Sequence, residues 1–159
     1  MRLVADLHIH SRHSLATSPK LTPPGLERWA RIKGIDLLGT GDCTHPAWLS
    51  ELRAALEPAE EGLFRLKDEA RRAFDRGEAL ADGLPEPSAR DMRFVLTGEI
   101  STIYSRGGRT RKVHHLVLLP GFEAAVAFQS RLERVGNIAS DGRPILGIDS
   151  RDLFSLLLD

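Results

Sequence analysis

With one cysteine, Cys43, in 159 residues, the chain can form no intramolecular disulfide, which fits a reducing compartment. It also lacks any apolar run near the roughly 20 residues that a membrane-spanning helix needs. Its short apolar N-terminal stretch leads straight into polar residues instead of a cleavage site. These shortages set the expectation of a soluble cytoplasmic protein with no membrane partner. Neither charge is in excess: Lys+Arg and Asp+Glu are 22 each. That excludes a globally basic nucleic-acid binder but leaves room for a local basic patch. Histidine is scarce, at six residues. The length suits one α/β domain over residues 1–159 with a substantial core.

What is present begins with Asp6-Leu-His8-Ile-His10. Residues 2–9 read as a buried strand, and residues two apart on a strand share a face. His8 and His10 would therefore project together, with Asp6 on the same side. Two imidazoles at that spacing can hold one metal ion; they can equally be two surface histidines at a strand end. Ser11–Pro19 reads as a polar loop over a site. Thr22-Pro23-Pro24 then starts a helix that Gly34 stops. Ile35–Thr40 is a second strand, and strand–helix–strand implies a parallel sheet.

The second strand opens into Gly39-Thr-Gly-Asp42-Cys43-Thr-His45-Pro46. Asp42, Cys43 and His45 are each candidate metal ligands or proton carriers; alternatively this is a turn in which Thr44 caps a helix over 46–57. Residues 57–93 are charged and poorly patterned. They read as a surface insertion with a solvated helix (66–80) and a linker (81–91). Phe94–Ile100 is a third strand ending at Glu99, a carboxylate able to bridge two cations. Gly107-Gly108 signals a hairpin turn in the most basic stretch, where Arg106, Arg109 and Arg111 are candidate phosphate binders and a solvated face is the plainer reading. In the strand Val113–Leu119, adjacent residues face opposite ways, so at most one of His114 and His115 can join the His8/His10 site. A helix over 121–135, a turn at Asp141-Gly-Arg143-Pro144, a strand Ile145–Ile148 and a last helix capped by Asp149-Ser150 complete the chain.

Four strand ends thus each deliver candidate ligands, a set suited to metal-assisted phosphoester hydrolysis. Here the sequence resembles the polymerase-and-histidinol-phosphatase (PHP) family. Asp6-Leu-His8-Ile-His10-Ser is similar to its first motif and Gly39-Thr-Gly-Asp42-Cys43 to its second. Gly98-Glu99 is similar to its metal-bridging glutamate, and His115-Leu-Val-Leu to its next histidine motif. Within the family the endonuclease Q branch is nearest, through Trp29–Asp36, Gly39–Pro46, Leu96–Ser101, Val113–Leu116 and Ser140–Gly147. The resemblance covers nearly the whole chain except 57–93. It implies an incomplete distorted (β/α)7 barrel and a metal-dependent hydrolase that cleaves DNA 5′ of deaminated bases or abasic sites, a DNA-repair activity. It also implies two or three divalent ions (zinc, with manganese or iron as alternatives). By the resemblance, His8, His10, Asp42, Glu99 and His115 are metal ligands, with Glu99 and Asp42 catalytic, and Cys43, His45 and His114 are further candidates.

Three departures qualify this. Cys43 stands where many members have histidine, so a thiolate, Asp42 or His45 would take that role, or a third metal is missing. His13 lies too close to His10 to match the usual third-metal ligand. No histidine follows His115, so the late ligands of the family are absent. The last helix also has no stop signal, which sets the expectation that the natural domain continues past Asp159 and that its C-terminal remainder is a partner. A small-molecule phosphomonoesterase and a truncated non-catalytic PHP module are the alternatives.

Overall fold

The computed structural model describes residues 2–77 and 85–158. Among these, seven strands form one open sheet with five helices, a mixed α/β architecture. Strand β1 (Ala5–Asp6) pairs in parallel with β2 (Leu37–Gly39), and β2 in parallel with the start of β5 (Arg93–Arg106). The crossover between β1 and β2 is helix α1 (Pro23–Lys33). Thr22 caps it by accepting from the Gly25 amide, and Gly34 ends it at φ 72°. This is the expected strand–helix–strand unit. The first strand is shorter and far more open than expected, however, with Leu3 53% and Val4 43% exposed. Among the described residues β1 has a paired strand on one side only.

The stretch expected to be a surface insertion contributes to the sheet instead. After helix α2 (Pro46–Ala55), β3 (Leu56–Pro58) and β4 (Phe64–Leu66) form an antiparallel pair, and Phe64 pairs with Phe94 of β5. Leu56, Phe64, Leu66 and Met92 are core residues. Their alternation was hidden because three-residue strands are too short to show a period. Helix α3 (Asp68–Gly77) follows and buries none of its residues, as a solvated helix should. Arg71 on α3 makes paired bonds of 3.1 and 3.0 Å to the buried Glu27 carboxylate of α1. Residues 78–84 of the expected helix and linker lie outside the described residues.

Strand β5 is the spine. Its first residues lie between β2 and β4; its remainder pairs with β6 (Arg109–Leu119) along the whole hairpin and with β7 (Ile145–Leu146). Gly107 and Gly108 form the turn at φ 60° and 71°, values that suit a two-residue hairpin and favour glycine. Glu99, His114 and His115 are therefore mid-strand residues of an antiparallel hairpin, not residues at the ends of parallel strands. Alternation on β5 sends Phe94, Leu96 and Ile100 into the core, with Val117 and Leu119 of β6 and with Trp48, Leu52, Phe128 and Leu132 from α2 and α4 (Phe122–Glu133). Thr97, Glu99 and Ser101 face the other way. On that face Leu116 and Leu118 are 39% and 49% exposed. Helix α5 (Ser150–Leu158) closes the described chain, its amides at Arg151 and Asp152 capped by the Asp149 carboxylate. No helix among the described residues is long and apolar enough to cross a membrane.

Candidate metal centre

The site forms where the segment after β1 crosses the odd-numbered face of β5. Gly39 allows the approach: a Cβ there would lie 2.6 Å from both the Leu7 carbonyl oxygen and the Thr97 hydroxyl. With the strands that close, the His8 and His10 rings stand 5.7 Å apart, edge to face. Both reach the Glu99 carboxylate, His8 Nε2 at 2.7 Å and His10 Nε2 at 3.5 Å from Oε2. Ligand atoms of His8, His10 and Glu99 all lie within 4.8 Å of one another. Two imidazole nitrogens and one buried carboxylate make a donor set that fits a divalent cation of the zinc, manganese or iron kind.

Glu99 is 3% exposed. Burial alone would push its carboxyl up, but hydrogen bonds from His8 and His114 and the positive charge of His114 and Arg143 outweigh it. The group is held below the ordinary glutamate range. A carboxylate kept charged in a buried place is one prepared for cationic company.

The structure reverses one histidine assignment. His114 Nδ1 bonds Glu99 Oε1, while His115 Nε2 meets the hydroxyls of Thr102 and Ser150, each at 3.2 Å. Register explains this. Ser101 opposes His114 and therefore shares its face with Glu99, whereas Ile100 opposes His115 on the other. At most one of the two was expected to join the site; it is His114, not His115.

The second-motif loop also sorts itself. Asp42 is fully buried at φ 48°, a left-handed conformation that aspartate tolerates better than most residues. Its Oδ1 accepts from His10 Nδ1 at 3.0 Å. Its Oδ2 accepts from the Ser11 amide at 2.6 Å, the Ser11 hydroxyl at 2.7 Å and the Ser14 hydroxyl at 2.9 Å. Cys43 points into the core instead of the site: it is fully buried against Gly98, and burial followed by the Asp42 charge pushes its thiol up to about 12. Its Sγ lies beside Gly98, on the face of β5 opposite Glu99. His45, not Thr44, caps α2. Its Nδ1 faces the Trp48 amide and its Nε2 the Ala139 carbonyl, so both ring nitrogens are engaged away from Glu99. It stacks on His13 at 4.5 Å, and His13 in turn bonds Glu51. Below the loop the Trp48 indole donates to the carbonyls of Thr40 and Gly41, at 3.3 and 2.8 Å.

The hairpin arginines are exposed and share the His115 face. Arg106 pairs with Asp149 at 2.9 Å and lies over the Tyr104 ring; Arg109 and Arg111 oppose Arg106 and Tyr104. The same alternation gives Lys112 the face of Glu99, because its partner is Ile103. Sequence reasoning missed Arg143, whose Nη1 is 3.8 Å from Glu99 Oε1, and the two serines that hold Asp42. Arg143 looked like part of a turn, and no local pattern tied it to a glutamate 44 residues earlier.

No protein-family model matches the chain. Two solved structures do. The crystal structure of the lesion-specific endonuclease PfuEndoQ from Pyrococcus furiosus aligns over 97% of this chain at TM-score 0.70 and 29% identity. The chain is similar to endonuclease Q. A second structure, endonuclease Q with a 27-mer duplex carrying an abasic lesion at its active site, aligns over 96% at TM-score 0.69 and 29% identity. The uncharacterized protein MJ0043 of Methanocaldococcus jannaschii is 27% identical over 155 residues, 97% of this chain. The chain spans 31% of each endonuclease Q chain and 14% of MJ0043.

Proposed function

We propose that this chain carries the metal centre of a DNA endonuclease that hydrolyses the phosphodiester 5′ of deaminated bases or abasic sites, on the first part of a PHP barrel. The observation that carries the reading is the likeness to endonuclease Q over 97% of the chain, combined with a buried carboxylate flanked by imidazoles. His8, His10 and Glu99 would hold one divalent ion, zinc being the first choice, and His114 together with Glu99 Oε1 would serve a second. Ions bound there would supply Lewis acidity to the phosphoryl group and lower the pKa of the attacking water. Glu99 offers one oxygen to each side, so its charge is shared between the two positions. Arg143 steadies a phosphate oxygen beside Glu99, in the manner of guanidinium–phosphate pairs. Arg106, Arg109 and Arg111 bind duplex backbone away from the reacting bond, contacts that position without reading sequence. A base everted from the stack is the substrate form such lesion chemistry calls for.

The test combines metal analysis with cleavage of duplexes containing uracil, hypoxanthine or an abasic site, in Zn²⁺ or Mn²⁺. His8→Ala and Glu99→Ala are expected to lose bound metal and to slow nicking by at least ~100-fold. Full metal content and nicking in either variant would sink the proposal. So would phosphate release from a phosphomonoester by a wild-type chain that leaves the duplexes intact.

A further inference from the structure

We infer that Asp42 is a positioning residue that locks the His10 ring with its proton on Nδ1, keeping Nε2 free to face Glu99. The inference rests on the metal-centre reading for its consequence, while the tautomer itself follows from one imidazole and its neighbours. A carboxylate has no proton to give, so the 3.0 Å contact between Asp42 Oδ1 and His10 Nδ1 has the ring as donor. With a proton fixed on Nδ1, Nε2 is the nitrogen left for a metal ion, and it is turned toward Glu99 Oε2. Metal-binding imidazoles need such an orienting partner, and its removal typically costs 10–100-fold in metal affinity.

The carboxylate is itself fixed. Its second oxygen accepts three hydrogen bonds, two from Ser11 and one from Ser14. Gly142 backs onto it so closely that a Cβ there would overlap both Asp42 Oδ2 and its carboxyl carbon. This immobility leads to an unusual expectation for the isosteric variant. The Ser11 amide at 2.6 Å can only donate, so in Asp42→Asn the side-chain oxygen must occupy the Oδ2 position. The amide nitrogen then takes the Oδ1 position and donates to His10 Nδ1. The ring must accept there, its proton moves to Nε2, and the metal-facing nitrogen loses its lone pair. Asn is thus expected to be worse than Ala, the reverse of the order for a residue that only fills space. Ala leaves the ring without a director but free to choose the binding tautomer.

The experiment has two readouts. The first is the ring tautomer in metal-free protein, from ¹⁵N–¹H correlation spectra of ¹⁵N-histidine-labelled chain, with His10→Gln used for assignment. Wild type should carry a proton on His10 Nδ1, whether or not Nε2 is also protonated beside Glu99, and Asp42→Asn should carry one on Nε2 only. The second is Zn²⁺ affinity by chelator competition, expected to fall ~10–100-fold in Asp42→Ala and further in Asp42→Asn. A wild-type ring protonated on Nε2 alone, an Asp42→Asn ring that keeps its Nδ1 proton, or tighter Zn²⁺ binding by Asn than by Ala overturns the proposal. The wild-type spectrum decides even if a variant fails to fold. A wild type with the Nδ1 proton that binds no Zn²⁺ supports the role of Asp42 and overturns the metal-centre reading instead.

Discussion

Cys43 and Asp42 are adjacent in the chain, and their surroundings separate them. Asp42 turns toward the serines of the first loop at a left-handed φ; Cys43 turns into the core beneath Gly98. Buried and held neutral, the thiol should resist iodoacetamide at pH 8 by more than ~100-fold relative to the same chain in urea, with or without Zn²⁺. Thiol counting by mass spectrometry checks this, and rapid native labelling that Zn²⁺ blocks would restore Cys43 as a ligand. Sequence could not separate these neighbours, because both residue types bind metals and the choice depends on where one backbone torsion sends each side chain. His8, His10 and Glu99 were readable for the opposite reason. A two-residue spacing and an isolated carboxylate in an apolar run need only strand geometry to be interpreted.

At the scale of elements, the long hairpin of β5 and β6 contains most of the surprises. Its turn was legible from two glycines, and with it the antiparallel pairing that sets Glu99 diagonal to His114. What the letters did not reveal was the length of β5, fourteen residues, which puts the ligands mid-strand and determines which face each basic residue takes. Counting outward from Glu99 assigns Lys112 to its face and Arg109 to the reverse. Lys112→Ala should therefore slow cleavage at the site more than Arg109→Ala does. Arg109→Ala should mainly reduce the salt dependence of duplex binding, its slope falling by about one unit for each phosphate that is no longer neutralised. Equal effects on cleavage would mean that the hairpin twists away from this alternation when DNA is bound. The β3–β4 pair offers a related lesson: strands of three residues are set by the neighbour they join, here Phe94, and not by a pattern of their own.

For the molecule as a whole, one spine strand links the parallel β1–β2 edge to the hairpin, so the metal centre joins the segment after the edge strand β1 to the central strand β5. Binding at such a junction stabilises the folded state alone. At Zn²⁺ one hundred times its dissociation constant the gain is about 2.7 kcal/mol. For a domain of this size that corresponds to a rise in Tm of roughly 5–10 °C. A Glu99→Ala chain should show no rise, and thermal scans with and without EDTA measure the difference. The chain also contains the means of following the same event without a label. Trp48 is completely buried, and its indole is tied to the carbonyls of the loop that presents Asp42, while Trp29 is 42% exposed. Acrylamide silences the exposed fluorophore and spares the buried one, leaving an emission signal that reports on a single indole beneath the loop that holds His10 through Asp42.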